Sequence, residues 1–373
     1  MSTELKVTAA RLHRVRLPLV HPFRTSSHRK TLLDHILVEL EDVSGAVGWG
    51  EIASPSHPYY APETVETCWH VAEHYLLPAV LGESWGRPEQ VPQLWAKVRG
   101  NQFAKAGADV AAWVLWAAVQ GVPLAQALGG TRTEVTAGVS LGIEPTIADL
   151  LDEVRRQVAA GYPRVKLKIA PGWDVEPVRA VRADFPELDL HVDANGIYTE
   201  SVEHLTALRA LDEYGLTMIE QPFSPRDLLA HARLQQHLVT PICLDESVET
   251  LDDLETALAL DALRVLNIKV SRMGGLTAAR AAHDRAQQAG IPVWCGGMHE
   301  FGIGRAANVA ISSLPGFTLP SDVSASDKYY AQDVITPPVT AEQGVVQVPT
   351  ATGLGHVVDT DLIAAHTVAT LAL

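Results

Sequence analysis

The chain has 373 residues, 47% hydrophobic and 20% charged, with 44 acidic against 29 basic side chains and a formal net charge of −15. That is enough apolar material for a sizeable core, as one large domain plus a smaller one or as two medium domains. The acid excess argues against nucleic acid or an anionic membrane as the main partner, but it leaves room for a small anionic substrate in a locally cationic site.

No uncharged apolar run approaches the ~20 residues of a membrane span. Residues 1–12 lack a basic stretch followed by an apolar core, so no secretory leader is expected. Cys68, Cys243 and Cys295 are far apart, without a CxxC pair. They are expected to be buried inert thiols in a reducing cytoplasm, not a disulfide framework or a zinc site.

In chain order, residues 7–18 and 32–41 read as strands. The turn Asp42-Val43-Ser44-Gly45 predicts a hairpin whose return is 45–51. Helical periodicity then takes over. Residues 63–80 and 90–98 look amphipathic, while 104–120, rich in Ala and Trp and nearly all apolar, predicts a buried helix. A boundary near Gly130 closes an α+β capping domain, 1–130.

From Val135 short apolar strands alternate with helices. Strands are expected at 135–141, 164–169, 189–192, 218–219, 241–244, 265–268, 292–295 and 317–319. Helices are expected at 146–160, 175–185, 201–214, 227–237, 251–258 and 276–289. Strand then helix, repeated, predicts parallel strands joined by right-handed crossovers. About eight repeats fit an α/β architecture of the (β/α)8 TIM-like barrel kind, over 131–325, better than an open sheet. The tail, 326–373, is expected to return to the capping domain and complete it.

Five successive strands end in charge: Lys168, Asp193, Glu220, Asp245 and Lys269, each 24 to 27 residues after the last. One strand, one helix and two loops take about that many residues, so the five converge on the carboxyl rim of the barrel, where barrel active sites lie. Any one acid there could instead cap the following helix. Three carboxylates from neighbouring strands repel unless a cation joins them, and all-oxygen ligands favour magnesium. Lys168 and Lys269 flank the acids. Lys166 shares a face with Lys168, because strand side chains repeat every two residues, and it can lower the pKa of a basic lysine. Such a pocket suits a carboxylate substrate whose α-proton must leave.

The motifs Lys166-Leu167-Lys168, Asp193-Ala194-Asn195, Ile219-Glu220-Gln221-Pro222, Leu244-Asp245-Glu246-Ser247 and Asn267-Ile268-Lys269 resemble the muconate-lactonizing-enzyme subgroup of the enolase superfamily. The likeness runs over nearly the whole chain and includes Gly48-Trp49-Gly50-Glu51 and Leu128-Gly129-Gly130. Within the subgroup the sequence is most similar to o-succinylbenzoate synthases and N-succinylamino acid (N-acylamino acid) racemases. The run from Lys166 to Asp174, Val139-Ser140-Leu141-Gly142, Trp294-Cys295-Gly296-Gly297-Met298 and Gly302-Ile303-Gly304-Arg305 carry that likeness.

The resemblance implies Asp193, Glu220 and Asp245 as ligands of Mg2+ (Mn2+ or another divalent ion may substitute), with Lys168 and Lys269 as the two acid/base lysines. It implies substrate contacts at Ser140, Lys166, Asn195, Gly297, Met298 and His299, with Phe23 and Tyr59 on cap loops that close over the substrate and exclude water. Arg272 matches an arginine associated with racemase activity. The family usually continues after Met298 with Leu-Glu-Ser or Leu-Glu-Thr; here the run is His299-Glu300-Phe301. In the family that segment lines the substrate end of the pocket, so the change bears on which side chain is accepted.

The expected activity is two-lysine racemisation of N-succinyl amino acids. The alternatives are o-succinylbenzoate synthesis, dipeptide epimerisation or cycloisomerisation on the same scaffold, and a non-catalytic metal-binding barrel. A homo-oligomer, dimer or octamer, is expected by analogy with barrels of this type.

Overall fold

The computed structural model describes residues 4–24 and 29–373, with side chains for all of these except 23, 24 and 29. Three antiparallel strands, β1 (Leu5–Arg24), β2 (Arg29–Asp42) and β3 (Val47–Ile52), build the capping sheet. The C-terminal strand Thr367–Ala372 lies on the other side of β1, giving the order Thr367–Ala372, β1, β2, β3. The tail therefore returns to the cap. Along β1 the buried set runs Leu5 and Val7, then Ala10 and Leu12, then Val15 and Leu17. Register irregularities after Val7 and after Arg14 shift the period-two phase between these pairs.

The expected buried helix is Gln102–Gln120, and it packs flat on β3 because glycines there let the backbones touch. A Cβ placed on Gly50 would lie 1.9 Å from the Gly107 carbonyl oxygen. The helix expected over 90–98 shrinks to Val91–Leu94 after a 3-10 turn at Pro88–Gln90. It carries Pro92 in its first turn, has no side-chain cap and leaves helical geometry at Trp95.

Seven parallel strands follow one another round the barrel: Val139–Leu141, Arg164–Lys168, Asp189–Asp193, Ile219–Glu220, Ile242–Leu244, Val265–Ile268 and Val293–Cys295. The expected eighth strand at 317–319 is not regular. Its place is taken by single bridges, Phe317 to Val293 on one side and Ser321 to Ala137 on the other. Backbone bonds from Asp322 to Cys295 and from Gly138 to Ser321 close the ring. A helix at Gly302–Ser312, nearly all buried, follows the seventh strand. Its two glycines hide the helical signal. They are needed because a Cβ at Gly302 would strike Ile335, and one at Gly304 would strike Glu300 and Glu51.

The acid of the cap motif Gly48-Trp49-Gly50-Glu51 has a structural role. Glu51, buried on β3, accepts hydrogen bonds from His35 at 2.7 Å and from the backbone N–H groups of Phe301 and Gly304, both at 2.8 Å. A cap side chain thus satisfies the open N-terminus of a barrel helix. The long cap helix does the same elsewhere. Asp109 accepts from the Thr277 N–H at 2.9 Å and from its hydroxyl at 2.7 Å, at the start of helix Leu276–Gln288.

Candidate active site

The parallel register sets the rim. Lys168 pairs with Asp193, and Asp193 pairs with Glu220, as direct neighbours across adjacent strands. Asp245 directly follows the fifth strand and Lys269 directly follows the sixth. All five side chains stand at the carboxyl end of the barrel beneath the cap. Lys168 donates to Asp193 at 2.5 Å and to Asn195 at 2.7 Å. Lys269 donates to Asp245 at 2.8 Å and to the Tyr60 hydroxyl at 2.9 Å. The two lysines therefore occupy opposite ends of the row Asp193, Glu220, Asp245. Gly296 leaves room for the Lys269 stem, since a Cβ there would lie 2.8 Å from its Cε.

Lys166 lies deeper. It is buried over the Trp294 ring, 4.6 Å from its centre, and bonded to Asp322 at 2.9 Å and Glu220 at 3.2 Å. Burial works against its charge, but Asp322, Glu220 and Asp193 together hold its pKa above the usual lysine value. Burial and neighbouring Asp193 push Glu220 up to about 8, and burial with Asp245 pushes Glu246 up to about 7. Asp245 goes the other way: although burial opposes its charge, Arg272 and Lys269 hold it well below the usual carboxylate range.

A cavity of about 390 Å3 opens above this rim and is floored by Lys166, Lys168 and Lys269. Ser140, Asn195, Gly297, Met298 and His299 line it. Ser140 donates to Asp322 at 3.0 Å, and Asn195 donates to Glu246 at 2.8 Å. His299 has a positive φ of 64°, stacks its ring on Tyr329 at 5.1 Å, and is kept neutral first by burial and then by Lys30 and Arg305. Tyr59 lines the mouth, 65% exposed, with its ring 5.4 Å from that of His57. Phe23 is the last but one residue of β1; its side chain lies outside the described residues. Arg272 is not on the cavity wall. It is buried behind Asp245, to which it is bonded, and also donates to Tyr60 at 3.3 Å and the Asn267 carbonyl at 3.1 Å.

Among the described residues no three His, Cys, Asp or Glu side chains stand close enough together to hold a metal ion. The repulsion between the acids is relieved by the protein's own ammonium and guanidinium groups: Lys168 and Lys166 on Asp193, Lys166 on Glu220, and Lys269 and Arg272 on Asp245. By donor chemistry the set still fits a hard cation. All the donors are oxygen, two are register neighbours, and the buried Glu246 Oε2 beside them has no hydrogen-bond partner.

Four participants were not singled out by sequence. Tyr60 bridges Lys269, Asp245 and Arg272. Asn267 donates to Glu220 at 2.7 Å. Glu246 orients Asn195, and Asp322 anchors Lys166 and Arg164. Asn267 could have been found, since it lies two residues before Lys269 and shares its face. All three cysteines are free and buried, and no helix among the described residues is long and apolar enough to cross a membrane.

A closed ring of parallel strands with acids and lysines at its carboxyl rim, under an α+β cap, defines an enolase-type barrel enzyme. Comparison with known proteins agrees. Residues 7–129 match the mandelate racemase / muconate lactonizing enzyme N-terminal domain, and residues 149–362 match the enolase C-terminal domain-like family. The chain belongs to the enolase superfamily, whose members typically use a divalent metal ion. An o-succinylbenzoate synthase of Geobacillus kaustophilus is 48% identical over 348 residues, 93% of this chain and 92% of that one. An N-succinylamino acid racemase of an Amycolatopsis species is 45% identical over 352 residues, 94% and 95% of the two chains. A crystal structure of an enolase-superfamily member from Listeria innocua superposes with a TM-score of 0.96 at 37% identity, covering 99% of both chains.

Proposed function

We propose that this enzyme racemises N-succinyl (N-acyl) amino acids by moving the proton alpha to the carboxylate between two lysines. The observation that carries this reading is the placement of Lys168 and Lys269 at opposite ends of one acidic row, facing one cavity. Racemisation needs a base on each face of the α-carbon. One lysine takes the proton as a neutral amine, and the other, as an ammonium, returns a proton to the opposite face. Asn195 and Tyr60 fix the two amines by hydrogen bonds, and the cap keeps water from the carbanion. Magnesium, or manganese in its place, held by Asp193, Glu220 and Asp245, would supply Lewis acidity for the charge that develops on the substrate carboxylate.

Synthesis of o-succinylbenzoate is the second reading, favoured by the 48% identical relative of that name. There Lys168 would remove the α-proton and hand it to the departing hydroxyl, which leaves as water, while the Lys269 ammonium stabilises the anion by charge.

Solvent deuterium exchange at the α-carbon of N-succinyl amino acids tests the proposal. The parent exchanges and racemises both enantiomers. Lys168→Ala and Lys269→Ala each lose racemisation by about 10^2 to 10^4-fold, and each retains exchange with one enantiomer only. A parent that exchanges neither enantiomer removes the racemase reading, and dehydration of the synthase substrate then decides for the second.

A further inference from the structure

We infer that Lys30, contributed by the cap, is the anion-recognition residue for a second carboxylate on the substrate, and that it selects dicarboxylic N-acyl groups such as succinyl over neutral ones such as acetyl. The inference rests on the reading above, in which the reacting carboxylate lies at the Lys168–Lys269 end of the cavity.

Lys30 is the second residue of β2, paired across the hairpin with Phe23. It lines the main cavity together with Met298 and His299. It also lines a smaller neighbouring cavity of about 320 Å3, and with Pro55 and Met298 forms the wall between the two. The other lysines of the main cavity are all matched: Lys166 with Asp322 at 2.9 Å, Lys168 with Asp193 at 2.5 Å, and Lys269 with Asp245 at 2.8 Å. The Lys30 ammonium makes no ion pair or hydrogen bond with any described residue. Glu300, a carboxylate on the same cavity wall, makes no ion pair with it.

The surroundings make this isolation costly. Burial, with Lys269 and Lys168 as like charges, pushes Lys30 down to about 8. Its own charge in turn bears on His299, as do those of Arg305 and Lys328. Arg305, on the same cavity wall, donates from its two terminal nitrogens to the Ser324 and Glu300 carbonyls, 2.7 and 3.1 Å away; its buried Nε has no partner, and it brings no counter-charge. An ammonium desolvated among cations is unfavourable unless an anion joins it. The rim cations are already committed to the carboxylates of the reaction centre. A substrate with a carboxylate at each end would place one over the rim and the other against Lys30. A neutral acyl group would leave Lys30 half-buried and unmatched. The site would thus discriminate by leaving a protein charge unpaired.

The test compares kcat/KM for N-succinyl- and N-acetylphenylalanine in the parent, Lys30→Ala and Lys30→Arg. Both substrates are measured on one preparation, so partial misfolding cancels from the ratio. The expected result is a succinyl-to-acetyl ratio that falls at least tenfold in Lys30→Ala, through a raised KM for the succinyl substrate, and recovers in Lys30→Arg. A ratio within twofold of the parent's overturns the assignment, as does an equal loss of kcat on both substrates. A parent inactive on both substrates instead defeats the racemase reading itself, and the Lys30 assignment with it.

Discussion

At the scale of single residues, charge placement governs the rim, and buried His231 adds acid sensitivity away from it. His231 donates from Nδ1 to the Asp227 carbonyl at 2.8 Å and accepts at Nε2 from the Phe223 N–H at 3.3 Å. Burial pulls its pKa down from 6.5 to about 4. Between those values the unfolded chain binds a proton that the folded protein refuses. Stability from this group is therefore complete above pH 6.5 and is lost as pH falls toward 4, by roughly 3 kcal/mol at 1.36 kcal/mol per unit. Urea unfolding at pH 7 and pH 4.5 should show that loss. His231→Gln should be less stable at pH 7 and show a flatter dependence over the same interval. The rim charges were legible in sequence because each ends an apolar strand at a near-constant interval. Asp322 was not, because its segment closes the ring through isolated bridges and carries no strand pattern. Lys30 was missed because nothing local distinguishes it from an exposed lysine near a turn.

Among elements, β3 and the helix Gln102–Gln120 depend on close backbone approach. Gly50→Ala would force its methyl into the Gly107 carbonyl. Main chain cannot yield as a flexible side chain can, so the expected loss is about 3 kcal/mol, read as a lower urea midpoint with an unchanged slope. An unaltered midpoint would mean that the two elements separate easily. Strands and helices of the repeating half were legible because period two and period 3.6 alternate cleanly there. The helix Gly302–Ser312 was not, since tight packing selected glycine where propensity disfavours it. The π-helical turn at Ala72–Leu76, inside the expected helix 63–80, likewise leaves no mark on hydrophobic spacing.

For the whole molecule, fold and family were both legible: an α/β barrel with a cap completed by the tail, in the enolase superfamily. What the sequence could not convey is that lysine and arginine neutralise the acids when nothing else does. That balance makes a prediction about stability. A divalent ion held by Asp193, Glu220 and Asp245 must draw them away from these partners, and it binds only the folded chain. Magnesium at 100 times its dissociation constant should then add about 2.7 kcal/mol, seen as a concentration-dependent rise in melting temperature that Glu220→Gln abolishes. A parent whose melting ignores magnesium, manganese and EDTA would rule out these three residues as a metal site.

Glu51 and Asp109 each reach from the cap to plug the open end of a different barrel helix. Swinging the cap off the barrel as a rigid door would strip both helices of their acceptors at once. The cavity itself is lined from the cap by Pro55, Tyr59 and Tyr60, with Tyr59 at the mouth and Tyr60 on the Lys269 amine. Cap residues that line the cavity and cap residues that plug the barrel helices are in this way separate pieces of chain.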